Sequence, residues 1–387
     1  MITISQMKLR YLFFKINMLT LICMVLNCEI VQAVPELIWK KSFDSYIVET
    51  SDLIERSNHQ KYRFPLSTVL TKNNVYSFNN KGEIINTIRL NDYDKATISK
   101  DGSTLAVLKG SDIYLKKLDD IINENYFIHI PQPSALSHLI TMQLSYDGSQ
   151  LVVISKYLNT IHFFDDVGTM INNQRLEGFQ HASTQFSDNG EKIILHLDSF
   201  EKGEMQGTFY IFNNSGKLLW AINHKGLNTV FDCSQNGQLL IYAAGNEVVL
   251  FNTTTGMTVF QKTIMQGNKN CSITNEGKHS VFNSNKTIYL LNNDTNDFVN
   301  KYSIPDRFDL DIFYILAIDY LQVNKKIIVL LNSQFNFNSF QSEILIYNRE
   351  KRVSFSERFN EKLNLLKSCK FFLLFGKQSV YLYRILQ

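Results

Sequence analysis

LSYDGSQLVVIS, Leu144 to Ser155, places an apolar run on either side of an Asp147-Gly148 turn. Gly, Asn and Asp supply the positive backbone angles that tight hairpins require, so the stretch reads as two antiparallel strands joined by a short turn. Nearly the same words recur. Ser99-Lys100-Asp101-Gly102 precedes Leu105, Ser187-Asp188-Asn189-Gly190 precedes Ile193, Ser234-Gln235-Asn236-Gly237 precedes Leu239, and Thr274-Asn275-Glu276-Gly277 is a weaker copy. Their glycines lie about 40 to 47 residues apart, the length that four strands of five or six residues consume with their turns.

A second pattern counts the repeats: a short apolar or aromatic strand, usually followed by Asn or Asp. It occurs as VYSFNNKG from Val75, IYLKKLDD from Ile113, IHFFDDVG from Ile161, FYIFNNSG from Phe209, VVLFNTTTG from Val248, IYLLNNDT from Ile288, ILIYNREK from Ile344 and VYLYRIL from Val380. These copies predict the third strands, and the runs after the Asp-Gly turns predict the second strands. Continuous apolar character fits strands covered on both faces by neighbouring sheets. A sandwich or ordinary barrel explains alternation but not evenly spaced copies. The fold class is therefore all-β, a single β-propeller of eight four-stranded blades, with seven as the alternative count.

The stretches GNEVVLFNTTTGMTVFQKTI from Gly245 and TFYIFNNSGKLLWAI from Thr208 resemble WD40-like and quinoprotein-like propeller repeats. The second is similar to the strand, turning Gly and Trp-bearing fourth strand of a quinoprotein-like blade. The Gly-His and Trp-Asp dipeptides of strict WD40 repeats are absent. Some propellers of this kind are pyrroloquinoline quinone dehydrogenases, which carry adjacent cysteines against the quinone. Here no two cysteines are neighbours, and a shared scaffold does not carry its chemistry along.

The N-terminus reads as a secretory signal. Lys8, Arg10 and Lys15 precede the apolar run Met18 to Leu26, and Val31-Gln32-Ala33 offers small residues three and one positions before a cut. Residues 1–33 are the expected signal peptide and 34–387 the propeller domain, which makes the protein secreted or periplasmic. A lipid anchor on Cys28 would meet Asn27 where a small residue is wanted. No later segment reads as transmembrane. A formal net charge of +3 over 387 residues, without basic blocks, implies no nucleic-acid partner. The cysteines after the signal, Cys233, Cys271 and Cys369, are widely spaced and odd in number, which favours buried free thiols over a disulfide framework.

No catalytic, cofactor or metal signature stands out. The histidines from His59 to His279 show no His-Glu-x-x-His spacing, and no Cys-x-x-Cys pair occurs. His162, mid-strand, and His196, near a strand end, read as packed or surface residues. Asp309 and Asp311 alone make a poor calcium site, which wants six or more oxygens. Asn252-Thr253-Thr254 and Asn285-Lys286-Thr287 match glycosylation acceptors, relevant only in a eukaryote.

What remains is surface. Asp198 to Gly207 and Asn332 to Ser342 read as long loops between second and third strands, and Ile304 to Ile315 as a long link between blades. Propeller geometry puts all three on one face. The leading function is an exported, non-enzymatic monomer that binds a protein or glycan through that face. Phe335, Phe337 and Phe340 are its candidate contact residues, because aromatic rings in a polar loop are costly to leave in water. The alternatives are a quinone-dependent dehydrogenase-like enzyme and a propeller similar to those of periplasmic outer-membrane assembly. The last repeat ends at Leu386 without residues for a fourth strand. Glu36 to Ser42 aligns with Lys217 to Asn223, Trp39 falling on Trp220, so residues 36–42 are expected to pair with residues 379–385 and close the ring.

Overall fold

The computed structural model describes residues 36–43, 45–50, 67–78, 83–118, 125–176, 178–201, 204–226, 229–264, 270–305, 313–321, 326–336, 339–347, 353–359, 364–367, 371–375 and 379–384. These form eight four-stranded antiparallel sheets, each a blade. Blade 1 comprises Ile47–Thr50, Ser67–Thr71, Asn74–Phe78 and Ile84–Arg89, from the central channel outward. Blade 2 comprises Lys95–Ile98, Thr104–Lys109, Asp112–Lys117 and Asn125–His129, and blade 3 Ile140–Leu144, Gln150–Ser155, Thr160–Asp165 and Met170–Arg175. Blade 4 comprises His181–Phe186, Lys192–Glu201, Glu204–Asn213 and Leu218–Lys225, and blade 5 Val230–Cys233, Leu239–Ala244, Glu247–Asn252 and Met257–Thr263. Blade 6 comprises Cys271–Ile273, His279–Ser284, Thr287–Asn292 and Asp297–Ser303, and blade 7 Phe313–Leu321, Lys326–Asn336, Ser339–Tyr347 and Val353–Phe359.

Blade 8 takes Asn364–Lys367, Phe371–Phe375 and Ser379–Arg384 from the C-terminus and its outer strand, Glu36–Ser42, from the start of the chain. The closing pair is antiparallel, from Glu36 opposite Arg384 to Ser42 opposite Ser379. Its ladder skips Ile38 between Leu37 and Trp39. Skips at the same place mark the third-to-fourth strand pairing of blades 1, 3, 4, 5, 6 and 7, where Ile85, Ile171, Leu219, Val259, Val299 and Ser354 fall out of register. The borrowed strand thus carries the bulge that bends the outer strands of the other blades. The side chain of Trp39 lies outside the described residues. Its aligned counterpart Trp220 is exposed on its outer side, donates its indole N–H to the Thr253 carbonyl oxygen at 2.8 Å and covers Gly256 in the next blade.

The repeated turn words work through hydrogen bonds. In blade 3 the Ser145 hydroxyl donates to the Asp147 carboxylate at 2.9 Å and accepts from the Gln150 amide at 2.9 Å, while Ser149 N–H donates to Asp147 at 3.0 Å. Burial alone would raise the Asp147 pKa; these bonds outweigh it and hold the carboxyl below its ordinary value. The same pattern recurs at Ser99 and Asp101, Ser187 and Asn189, and Ser234 and Asn236.

Apolar second and third strands interlock between blades. Ile194, Phe209 and Ile211 of blade 4 meet Leu240, Tyr242 and Val249 of blade 5, and equivalent clusters join the other neighbours. Near the channel, polar side chains tie first strands together. Glu49 of blade 1 accepts from the Ile98 amide of blade 2, and Thr184 of blade 4 donates to Gln143 of blade 3 at 2.5 Å. Asp232 of blade 5 accepts from Gln185 of blade 4 and from Ser272 and Ile273 of blade 6. Cys233 and Cys271 are buried thiols that form no disulfide with each other, while Cys369, Asp309 and Asp311 lie outside the described residues.

Candidate functional site

With strands running alternately up and down, the second-to-third hairpins and the links between blades emerge on one face. The first-to-second and third-to-fourth turns emerge on the other. That second face is drawn tight around the channel. Asp101 N–H donates to the Tyr146 carbonyl oxygen, Asn189 N–H to that of Gln235, and Gln235 N–H to that of Asn275, while Lys100 and Asp188 pair at 3.2 Å.

The hairpin face differs. The stretches expected to be long loops are instead strand. In blade 4 the ladder continues past Asp198 opposite Gly207 to Glu201 opposite Glu204. In blade 7 it continues past Asn332 opposite Ser342 to Asn336 opposite Ser339. The polar composition that suggests a loop is compatible with a two-stranded ribbon, because the backbone ladder needs no apolar neighbour once it rises beyond the adjoining blades. Phe335 falls at the irregularity between Gln334 and Asn336 on one strand of the blade 7 hairpin, and Phe340 lies opposite Gln334 on the other. Phe337 lies outside the described residues, as do residues 306–312 of the expected link.

On the same face a cavity of about 650 Å³ opens between the first strands of blades 1 to 3, lined in part by Val48, Tyr93, Lys95, Thr97, Thr141 and Met142. Burial lowers the pKa of Lys95, with Asp94 opposing. Its ammonium donates to the His138 carbonyl oxygen at 3.0 Å and to that of Ile140, which anchors Lys95 to the start of blade 3, while Lys72 also lines the cavity.

A polar cluster that sequence reasoning missed sits at the base of the blade 4 hairpin. His181, Asp198, Gly207 and His224 occupy one row across the four strands, and His196 lies two residues before Asp198 on the same face. His196 Nε2 and His224 Nε2 are 2.9 Å apart, with Asp198 Oδ1 3.6 Å from His196 Nε2. Gly207 leaves the room: a Cβ there would stand 2.2 Å from His224 Nε2 and 2.8 Å from His196 Nε2. Phe209, Phe231 and Tyr242 enclose the pair. Burial drives both imidazoles down to about 4, His224 being lowered further by His196, so both are neutral at pH 7 and one donates to the other. Burial raises the Asp198 carboxyl, with His224 and His181 opposing. His224 is 28 positions from His196 in sequence, and no motif spacing announces their meeting. His162, by contrast, is buried mid-strand as a packed residue. Among the described residues no group of three or more His, Cys, Asp or Glu could hold a metal ion, and no helix is long and apolar enough to cross a membrane.

The fold defines the chain as a β-propeller with four-stranded blades. Among solved structures it is similar to BamB from Moraxella catarrhalis, with a TM-score of 0.59 and 11% identity over 90% of this chain and 99% of that one. It is similar also to the WD40 domain of SCAP from fission yeast, with a TM-score of 0.55 and 9% identity over 91% of this chain and 98% of that one. No family model matches the sequence, and no curated protein matches it. At these identities the likeness is one of fold.

Proposed function

We propose that the protein is an exported, non-enzymatic scaffold that binds a protein or glycan through its hairpin face. The observation that carries this reading is the asymmetry of the disc: two extended hairpins rise on one face, while short, mutually hydrogen-bonded turns form the other. Functional residues concentrate on segments that project from a rigid scaffold, and edge-rich hairpins offer backbone as well as side chains to a partner. Phe335, Phe337 and Phe340 supply the aromatic contact, residues 1–33 are the signal peptide, and the mature chain is a monomer beginning at Val34. Changing the three phenylalanines to Ser is expected to abolish partner capture and leave the melting temperature nearly unchanged. A large loss of stability with binding retained would overturn that assignment.

A second reading is a periplasmic outer-membrane assembly propeller, held at the membrane by lipid on Cys28. Its support is the extent of the likeness to BamB. Intact mass and N-terminal sequencing of exported protein separate the two, since the first requires Val34 at the start and the second a lipid-modified Cys28. The dehydrogenase-like alternative lacks the adjacent cysteines of the quinone enzymes it would resemble.

A further inference from the structure

We infer that the cavity between the first strands of blades 1 to 3 binds a neutral glycan, with Lys72, Asp92 and Tyr93 as contact residues. The inference rests on the hairpin face being the binding face, and it names the partner class that this part of the face takes.

The cavity has the form of a ligand site. Its volume of about 650 Å³ falls inside the range of about 300–1,000 Å³ that small-ligand pockets occupy. Its walls are set before anything enters. The Lys72 amide donates to the Tyr46 carbonyl oxygen at 2.9 Å and the Leu90 amide to that of Asn73 at 2.8 Å, which holds the blade 1 hairpin to the segments that enter and leave the blade. The Tyr93 hydroxyl donates to the Thr71 carbonyl oxygen at 3.3 Å, and Asp94 accepts from the Gly110 amide at 2.7 Å. With Lys95 tied to the start of blade 3, a ligand meets groups already ordered, and little freedom is lost on binding.

The charges decide the ligand class. Lys72 sits on the blade 1 hairpin, Asp92 and Asp94 on the link to blade 2, and Lys95 beyond them toward blade 3, so two cations and two anions interleave and cancel. An anionic ligand brings its charge against two carboxylates, and a cationic one against two ammonium groups. A zwitterion asks for one cationic and one anionic pole, which interleaved charges do not offer. A sugar hydroxyl both donates and accepts, so it serves ammonium and carboxylate alike without a charge of its own. Among the described residues the side chains of Lys72, Asn73, Asp92 and Thr141 take no protein partner, which leaves donors and acceptors of both kinds to the ligand. Val48, Tyr93 and Met142 supply the apolar part of the lining, against which the C–H face of a pyranose ring lies.

The test is saturation-transfer NMR titration of the purified protein at pH 7 with four neutral disaccharides (maltose, cellobiose, lactose and diacetylchitobiose), beside the dipeptide Gly-Tyr and glucose 6-phosphate. Saturable binding is expected for at least one of the four, with an affinity that changes less than about twofold between about 0.05 and about 0.5 M NaCl, because the ligand carries no charge to screen. Lys72→Ala and Asp92→Gly, both at exposed positions and the second suited to the positive φ of 45° there, should each weaken it about tenfold. No saturable binding of any of the four, tighter binding of the dipeptide or the phosphate, or binding that neither variant weakens would overturn the inference. A photoreactive residue at Ser339, on the blade 7 hairpin, separates that failure from failure of the face itself. A competed adduct there with no sugar bound overturns the cavity alone; neither adduct nor sugar overturns both.

Discussion

Gln185 Nε2 donates to Asp232 Oδ1 at 2.9 Å, linking the innermost strands of blades 4 and 5. The same carboxylate accepts from the Cys233 amide, and its other oxygen accepts from the Ser272 hydroxyl and the Ile273 amide of blade 6. One side chain therefore fastens three blades at the channel. Asp232→Ala removes the acceptor that these donors share in a half-buried place and is expected to cost about 3 kcal/mol, whereas Asp232→Asn, which keeps shape and some acceptor capacity, costs about half that. Chemical denaturation of the two variants measures the difference; equal costs would mean that the carboxylate does not act as the shared acceptor.

The turns of blades 3 and 4 make a matched pair. Gly148 and Gly190 both hold positive φ, 66° and 70°. A Cβ at Gly148 would stand 2.1 Å from the Thr104 hydroxyl of blade 2, whereas a Cβ at Gly190 meets nothing within 4 Å. Gly190→Ala should cost about 1 kcal/mol of backbone strain, and Gly148→Ala that amount plus about 1–2 kcal/mol for displacing Thr104. Their melting temperatures should rank accordingly.

Acid should weaken the fold through the histidine pair. Both rings titrate at about 4 in the fold against 6.5 when free, so between those values the unfolded chain binds more protons. Their stabilising contribution is complete above about pH 7 and is lost as pH falls from 6.5 toward 4. Burial lowers His162 in the same sense, and the raised carboxyl of Asp198 acts in the opposite one. The rings titrate as a unit, so the drop attributable to them is about 2–3 kcal/mol. Unfolding free energies measured at pH 7.5 and 4.5 should show it, and His224→Gln should flatten the slope.

Ring closure has a direct readout. Amides of Val380 to Arg384 should resist hydrogen exchange in the full protein and exchange freely once residues 34–43 are removed, because the third strand of blade 8 then becomes an edge. Equal protection in both proteins would mean that the closing ladder contributes nothing.

The blades were legible because the chemistry that makes them is local. Each Ser-x-Asp/Asn-Gly word encodes its own turn, and each apolar run after it must be covered on both faces. The closing strand was legible because Glu36 to Ser42 matches Lys217 to Asn223, with Trp39 falling on Trp220; its bulge at Ile38 is seen in the structure. The hairpins of blades 4 and 7 are locatable in the sequence but read as loops, because NSQFNFNSFQS is mostly polar and its Phe335 and Phe337 read as loop aromatics rather than as the alternation of a strand. Asp232 and the His196–His224 pair were not legible. Their partners come from other strands or blades, and registry between strands decides which residues meet.

The central claim is that one face binds, and it is tested by photo-cross-linking from each face in turn. A photoreactive residue at Ser339, on the blade 7 hairpin, samples the proposed binding face; one at Gln235, exposed in a blade 5 turn, samples the other. The account predicts that Ser339 yields a discrete adduct from the native secretome or envelope, competed away by unlabelled protein, and that Gln235 yields none. Adducts from Gln235 alone, equal adducts from both positions, or no competed adduct from Ser339 would contradict it.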